Sequence, residues 1–180
     1  MPYSQSNLSN LKQLTAVALS TNYDSTAEDV TTTEANGTNI QSLDTWIQVF
    51  LSSPSEINYD KMKAAIDCVF VDQNVGSSLA AGLRYLLTTS DGRVAYDSGV
   101  RSDTLLNDKN KWSNYKDNPT NIAENHSSRP EIMQSLLSSS GIGITTRYSS
   151  TSTSLTYYLA TRLGPGPVSP EGVFRLSLNI

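Results

Sequence analysis

Residues 79–96 read LAAGLRYLLTTSDGRVAY, and they decide the fold. Leu79, Ala81, Leu83, Tyr85 and Leu87 recur with a period of two and share one face, while Arg84 and Leu86 take the other, which is the signature of a strand. Ser90-Asp91-Gly92 then supplies the left-handed turn conformation of a tight hairpin, and Arg93-Val94-Ala95-Tyr96 returns as a second strand.

Toward the C-terminus, Ile142, Ile144, Thr146 and Tyr148 alternate, then Leu155, Tyr157, Leu159 and Thr161, then Phe174, Leu176, Leu178 and Ile180. Ser/Thr-rich and Gly/Pro-rich turns separate them, so the stretch reads as a three-stranded meander. The polar segment Asp97 to His126, with Gly99, Trp112, Tyr115 and Pro119, lies between hairpin and meander, and a loop that long in a compact domain is more often functional than idle. A short helix follows. Ser128 stands three residues before Glu131 as in a capping box, Pro130 fits the first turn, and Ile132, Met133, Leu136 and Leu137 form two i,i+4 apolar pairs before Ser138 to Gly141 ends the pattern.

Toward the N-terminus the period is helical. Leu8, Leu11, Leu14 and Ala18 fall on one stripe, and a Ser/Thr/Asp-rich run from Tyr23 to Thr38 reads as a loop. Ser42 caps a second helix carrying Leu43, Trp46, Ile47, Phe50 and Leu51 before Pro54. A third begins near Ser55 or Asn58 with Tyr59, Met62, Ile66 and Phe70 on one face and Lys61 and Lys63 pointing away. The expectation is one α+β domain over 1–180, mainly helical from 1–78 and a largely antiparallel five-stranded sheet from 79–180.

Composition narrows the function. With 180 residues the chain can bury one proper core, and a net charge of -4 offers no basic footprint for nucleic acid or anionic lipid. Cys68 is the single cysteine, which excludes an intrachain disulfide and a cysteine-based metal cluster, and reads as a small core residue. His126 is the single histidine, so a catalytic triad or zinc site would have to pass through it. No nucleophile elbow occurs, and Gly141-Ile142-Gly143 lacks the third glycine of a nucleotide loop. A non-enzymatic role without cofactor or metal is expected.

Five fragments of the second half resemble, in order and spacing, the single Cache domains of bacterial sensor histidine kinases. They are Thr88-Thr89-Ser90-Asp91-Gly92-Arg93-Val94 with Asp97-Ser98, then Asn125-His126-Ser127-Ser128-Arg129-Pro130-Glu131-Ile132, then Gly141-Ile142-Gly143 with Arg147-Tyr148-Ser149-Ser150-Thr151, then Tyr157-Tyr158-Leu159-Ala160, and Gly172-Val173-Phe174-Arg175-Leu176-Ser177-Leu178. The resemblance implies a PAS-like antiparallel sheet with the N-terminal helices packed on one face and the loop and short helix covering the other. It further implies an extracytoplasmic sensor domain, a small-molecule ligand, a homodimer, and membrane attachment through flanking helices outside this sequence. The stretch from Thr21 to Val75 departs from the pattern, since it holds more helix than the single entry helix of that family.

The candidate ligand contacts are Arg147, Arg129, His126, Tyr157, Tyr158 and Trp112. Arg147 shares its strand face with Gly143 and Thr145, small residues that leave room for a carboxylate partner or a ligand. Asn125, His126 and Arg129 read as a hydrogen-bonded corner in which the arginine pairs with Asp97 or Glu131. By the resemblance, in which related citrate and dicarboxylate sensors use basic residues, Arg129 and His126 instead read as a rim that meets an anionic ligand. Tyr157 and Tyr158 point to opposite faces, so one packs in a core and the other is free to line a pocket. Trp112 and Tyr115 fit either a lid or an aromatic anchor at the sheet edge. Two other classes use the same elements: a ligand-free dimerisation or interaction module, and a cytosolic roadblock- or profilin-like scaffold.

Overall fold

The computed structural model describes residues 2–25, 40–72, 83–100, 108–117, 125–149, 154–164 and 170–179, with the backbone alone at 2–7, 72 and 100. Five strands form the main sheet: β3 (Leu83–Thr89), β4 (Val94–Asp97), β5 (Ile142–Ser149), β6 (Ser154–Leu163) and β7 (Gly172–Asn179). Their spatial order is β4-β3-β7-β6-β5 and every neighbour is antiparallel. Numbered among themselves in chain order, they run 2-1-5-4-3, and the chain has the expected α+β class with a PAS-like sheet. Leu79 and Ala81 of the predicted first strand, and the turns through 150–153 and 165–169, lie outside the described residues.

Helices α1 (Pro2–Ser20), α2 (Leu43–Ser52) and α3 (Glu56–Asp67) accompany the sheet. Ser42 and Ser55 cap the last two by accepting from the backbone N–H of Thr45 and Asn58. The apolar stripes read from the sequence are the buried ones: Leu43, Ile47, Phe50, Tyr59, Met62 and Ile66 are each 0% exposed. They share one core with Leu159, Phe174 and Leu176. The register line Ile144–Leu159–Leu176–Tyr85 runs across that helix-covered face. Phe70 stacks on Tyr85 with ring centroids 4.1 Å apart, tying the helical layer to the sheet.

Two features differ from the sequence reading. Asn22–Asp24 (β1) and Ile40–Ser42 (β2) pair as a two-stranded ribbon at the ends of the segment read as a loop, whose middle lies outside the described residues. Alternation over three residues is too short to register as a strand. In addition, α3 passes into a π-helical turn over Cys68–Asp72. Val69 and Phe70 of that turn are both buried in the core.

The hairpin between β3 and β4 turns at Gly92, whose φ of +87 belongs to glycine, and a Cβ there would lie 2.5 Å from the Ser127 nitrogen. Beyond β4, the polar segment is not lid-like where it is described. A short helix α4 (Trp112–Asp117) buries Tyr115 against Phe50 and Tyr59, at 5.5 and 5.9 Å between rings. Trp112 packs on the same two rings. Just before it, Asn110 is wholly buried and closes the outer edge of β4: its Oδ1 accepts from Asp97 N–H at 3.0 Å and its Nδ2 donates to the Asp97 carbonyl at 3.1 Å. Lys63 of α3, read as pointing away, donates to the Asn110 carbonyl and pairs with Asp108 at 2.8 Å. Asn110→Ala leaves two buried backbone groups unmet, and the expected loss is about 2 kcal/mol of unfolding free energy with faster amide exchange at Asp97. Urea denaturation and exchange measured on the same variant check it.

Helix α5 (Pro130–Leu137) covers the opposite sheet face at β5, β6 and β7. Ile132 and Leu136 pack on Ala160 and Val173. The expected capping box is absent: the N-cap position is Arg129, no side chain caps it, and Ser128 is exposed. Pro130 at the first helical position has no N–H to satisfy, and Glu131 turns inward instead of back to the helix start.

Candidate functional site

Alternation along β7 places Phe174, Leu176 and Leu178 in the helix-side core and turns Val173, Arg175 and Ser177 to the α5 side. The register line Gly143–Ala160–Arg175–Leu86–Asp97 crosses all five strands there. Arg175 is 6% exposed, an arginine in the middle of a sheet. Such a charge is tolerated only when paired, and its Nη1 donates to Glu131 Oε1 at 2.9 Å. Its Nε is buried and has no hydrogen-bond partner among the described residues.

Glu131 is 0% exposed and serves two cations. Arg147 of β5 grips it with both terminal nitrogens, Nη1 on Oε2 and Nη2 on Oε1 at 3.0 Å. The Tyr158 ring of β6 lies between these groups, with its centroid 3.9 Å from the Arg147 guanidinium carbon and 4.8 Å from that of Arg175. On the other side of the row, Arg84 of β3 reaches Asp97 of β4 at 3.2 Å, and Asp97 also accepts from Gly99 N–H at 2.8 Å. Among the described residues three guanidiniums thus face two carboxylates on one sheet face, with Arg175 and Glu131 buried and Arg84 and Arg147 partly exposed.

Burial pushes the Glu131 carboxyl up, but hydrogen bonds from Arg147 and the charge of Arg175 outweigh it and hold it below the ordinary carboxylate range. Burial draws Arg175 down from its ordinary value against the pull of Glu131, and Arg147 is raised by that same carboxylate despite its burial. Because the folded-state Glu131 value lies below the unfolded one, its stabilisation is complete above the ordinary value of 4.5 and is lost as pH falls through the lowered one. Urea midpoints measured between about pH 6 and pH 3 are expected to drop more steeply for the wild type than for Glu131→Gln.

Of the sequence candidates, the structure brings Arg147 and Tyr158 together. Tyr157 lies on the opposite face in the helix-side core, which settles the ambiguity of the tyrosine pair. Trp112 sits in the aromatic cluster of α2, α3 and α4. His126 is buried at the hairpin, its backbone N–H donating to the Gly92 carbonyl at 2.7 Å. Arg129 is exposed at the start of α5. The expected pairing of Arg129 with Asp97 or Glu131 does not form, because Arg84 takes the first carboxylate and Arg147 and Arg175 share the second.

The sequence reading missed Arg175, Glu131, Arg84 and Asp97 as members of one cluster. The sequence carried no signal for Arg175, since a charge alternating with Phe174 and Leu176 reads as the solvent side of an antiparallel strand and is buried here only because α5 covers that face. Glu131 carried a misleading signal, because its spacing from Ser128 imitates a cap.

No family model and no curated protein matches the chain. Solved structures of similar fold include the sensor domain of the V. cholerae histidine kinase DctB, at 14% identity and a TM-score of 0.47 over 97% of this chain and 54% of that one. The ligand-binding domain of the Campylobacter jejuni chemoreceptor Tlp3 is similar in its complex with 4-methylisoleucine, at 12% identity and a TM-score of 0.43 over 97% of this chain and 59% of that one. Its complex with L-valine gives 15% identity and a TM-score of 0.40, over 97% and 60%. The chain therefore spans between 54% and 60% of the length of these structures.

Proposed function

We propose that this chain is an extracytoplasmic ligand-sensing domain of a transmembrane signalling protein, of the sensor histidine kinase kind, and that it binds a small anionic molecule on the α5-covered face of its sheet. The single observation that carries the ligand class is the unpartnered Nε of the buried Arg175 inside a cluster of three arginines and two carboxylates. A guanidinium offers five N–H donors, and its Nε side, like the paired terminal nitrogens that Arg147 uses on Glu131, matches a carboxylate with two parallel hydrogen bonds. Arg147 and Tyr158 complete the seat, the tyrosine providing an apolar wall beside the charge.

The sequence resemblance to Cache domains and the PAS-like sheet support the sensor reading. Occupancy at Arg175 bears on the last strand and, through Glu131, on α5, so a ligand with different affinity for two arrangements of these elements shifts their balance by that difference. In the membrane protein the domain acts as a homodimer anchored by helices outside this sequence. A ligand-free interaction module is the second reading, favoured by the fact that Glu131 already stands between Arg147 and Arg175.

Calorimetric titration with small mono- and dicarboxylates and α-amino acids separates the two. Binding by at least one anion is expected, weakened about 10- to 100-fold by Arg175→Lys, which keeps the charge and removes the planar fork. Absence of any binder, or equal affinity in the variant, would retire the ligand site.

A further inference from the structure

Glu131 is the only residue of α5 whose side chain reaches the arginine cluster among the described contacts, and it does so at a cost. A carboxylate taken wholly out of water must recover its hydration from its partners. Arg147 repays this in full with two hydrogen bonds, whereas Arg175 gives one and keeps its buried Nε idle. The pairing between Glu131 and Arg175 is therefore the incomplete one in the cluster.

The rest of the α5 attachment is independent of that pair. Ile132 and Leu136 pack on Ala160 and Val173, Gln134 Oε1 accepts from Ile144 N–H at 2.9 Å, and Arg162 Nη1 donates to the carbonyls of Ser135 and Ser138 at 3.1 and 2.6 Å. Its first turn is held to the sheet by the Glu131 ion pairs together with the packing of Ile132, and its second half by Leu136 and by hydrogen bonds from Ile144 N–H and the Arg162 guanidinium. An anion arriving at Arg175 acts on the ion pairs.

We infer that Glu131 is a built-in competitor for the ligand: its carboxylate holds Arg175 when the site is empty, and a carboxylate-bearing ligand binds by taking Arg175 from it, which loosens the first turn of α5 from the sheet. The inference rests on the sensor reading above. A second negative charge at the Nε side of Arg175 repels Glu131 at close range in a dry setting, while the two-bond geometry on that side is the stronger one. Arg147 keeps Glu131 neutralised as Arg175 leaves it. Because the competitor is tethered, it acts at a high effective concentration, and the apparent affinity is reduced by the fraction of molecules in which Arg175 is engaged.

The experiment titrates acetate and malonate into wild type, Glu131→Gln and Glu131→Asp, following the arginine Nε–H resonance that disappears in Arg175→Lys, with amide exchange of 130–137 recorded alongside. Glu131→Gln keeps volume and an acceptor but drops the charge, and binding tightens about 10- to 100-fold over wild type. Glu131→Asp, with its carboxylate withdrawn by one methylene, gives a smaller gain of the same sign and covers the case in which the glutamine protein fails to fold. In the wild type, either anion speeds exchange in the first turn of α5. Equal or weaker binding in both variants, with the Arg175 resonance still responding, overturns the competitor and leaves the sensor reading intact. Silence of that resonance in all three proteins overturns both.

Discussion

Glu131→Ala is expected to lose about 3–5 kcal/mol of unfolding free energy, the largest effect of a polar substitution among the described residues. The change leaves Arg175, 6% exposed, without an ion-pair partner among the described residues, and strips Arg147 of its only ion pair among them. Removal of one partner of a buried pair costs far more than the pair contributes, because the remaining charge is stranded without its hydration. The compensating experiment makes the cause explicit. Glu131→Leu combined with Arg175→Met removes the fully buried pair and fills its volume, leaves Arg147, whose side chain is 24% exposed, to water, and recovers most of the loss, while neither single change does. Equilibrium urea denaturation of the four proteins measures this. A double variant as unstable as the worse single one would mean that packing, and not stranded charge, dominates at this position.

Gly143→Ala is expected to be nearly as damaging, at about 3 kcal/mol or more, although it adds one methyl group to an open-looking edge strand. A Cβ at this position collides with the Glu131 carbonyl oxygen and lies 2.9 Å from the Ser135 nitrogen. Both obstacles are helix backbone, which cannot swing aside as a long side chain would. The helix must lift from β5, which carries Glu131 away from Arg147 and Arg175 and opens the contact of Ile132 with Ala160 and Val173. Amide exchange distinguishes this from general destabilisation: protection falls over 130–137 and along β5 while the β3–β7 ladder stays protected. Uniform loss of protection across the sheet would contradict it.

Both predictions concern α5, and α5 is where local reading and three-dimensional arrangement part. The strands were legible because a period of two is written into each segment by itself: Leu83 to Leu87, Ile142 to Tyr148, Leu155 to Thr161 and Phe174 to Leu178 each repeat large residues at alternate positions whatever they pair with. The stripes of α2 and α3, their Ser42 and Ser55 caps, and the left-handed Gly92 turn are local in the same sense. Antiparallel α+β architecture follows from such segments and their short turns.

The cluster on the far face was legible only in pieces. Arg147 and Tyr158 stood out because small neighbours or a tyrosine pair marked their strands, yet their purpose depends on residues of other elements, Glu131 being 16 positions from Arg147. Glu131 meets Arg175 across 44 residues, a meeting that exists only because β7 lies between β3 and β6 and α5 rests on β5 at a glycine. Side-chain periodicity states which face a residue takes, and it says nothing about which strand will be its neighbour. From the chain of letters alone came the class of fold, the elements and the inward faces, since these depend on backbone geometry within a few residues. Strand order and helix docking assigned the charges their partners, since the energy of a buried ion pair depends on distance in space and on exclusion of water, neither of which is a property of any single segment.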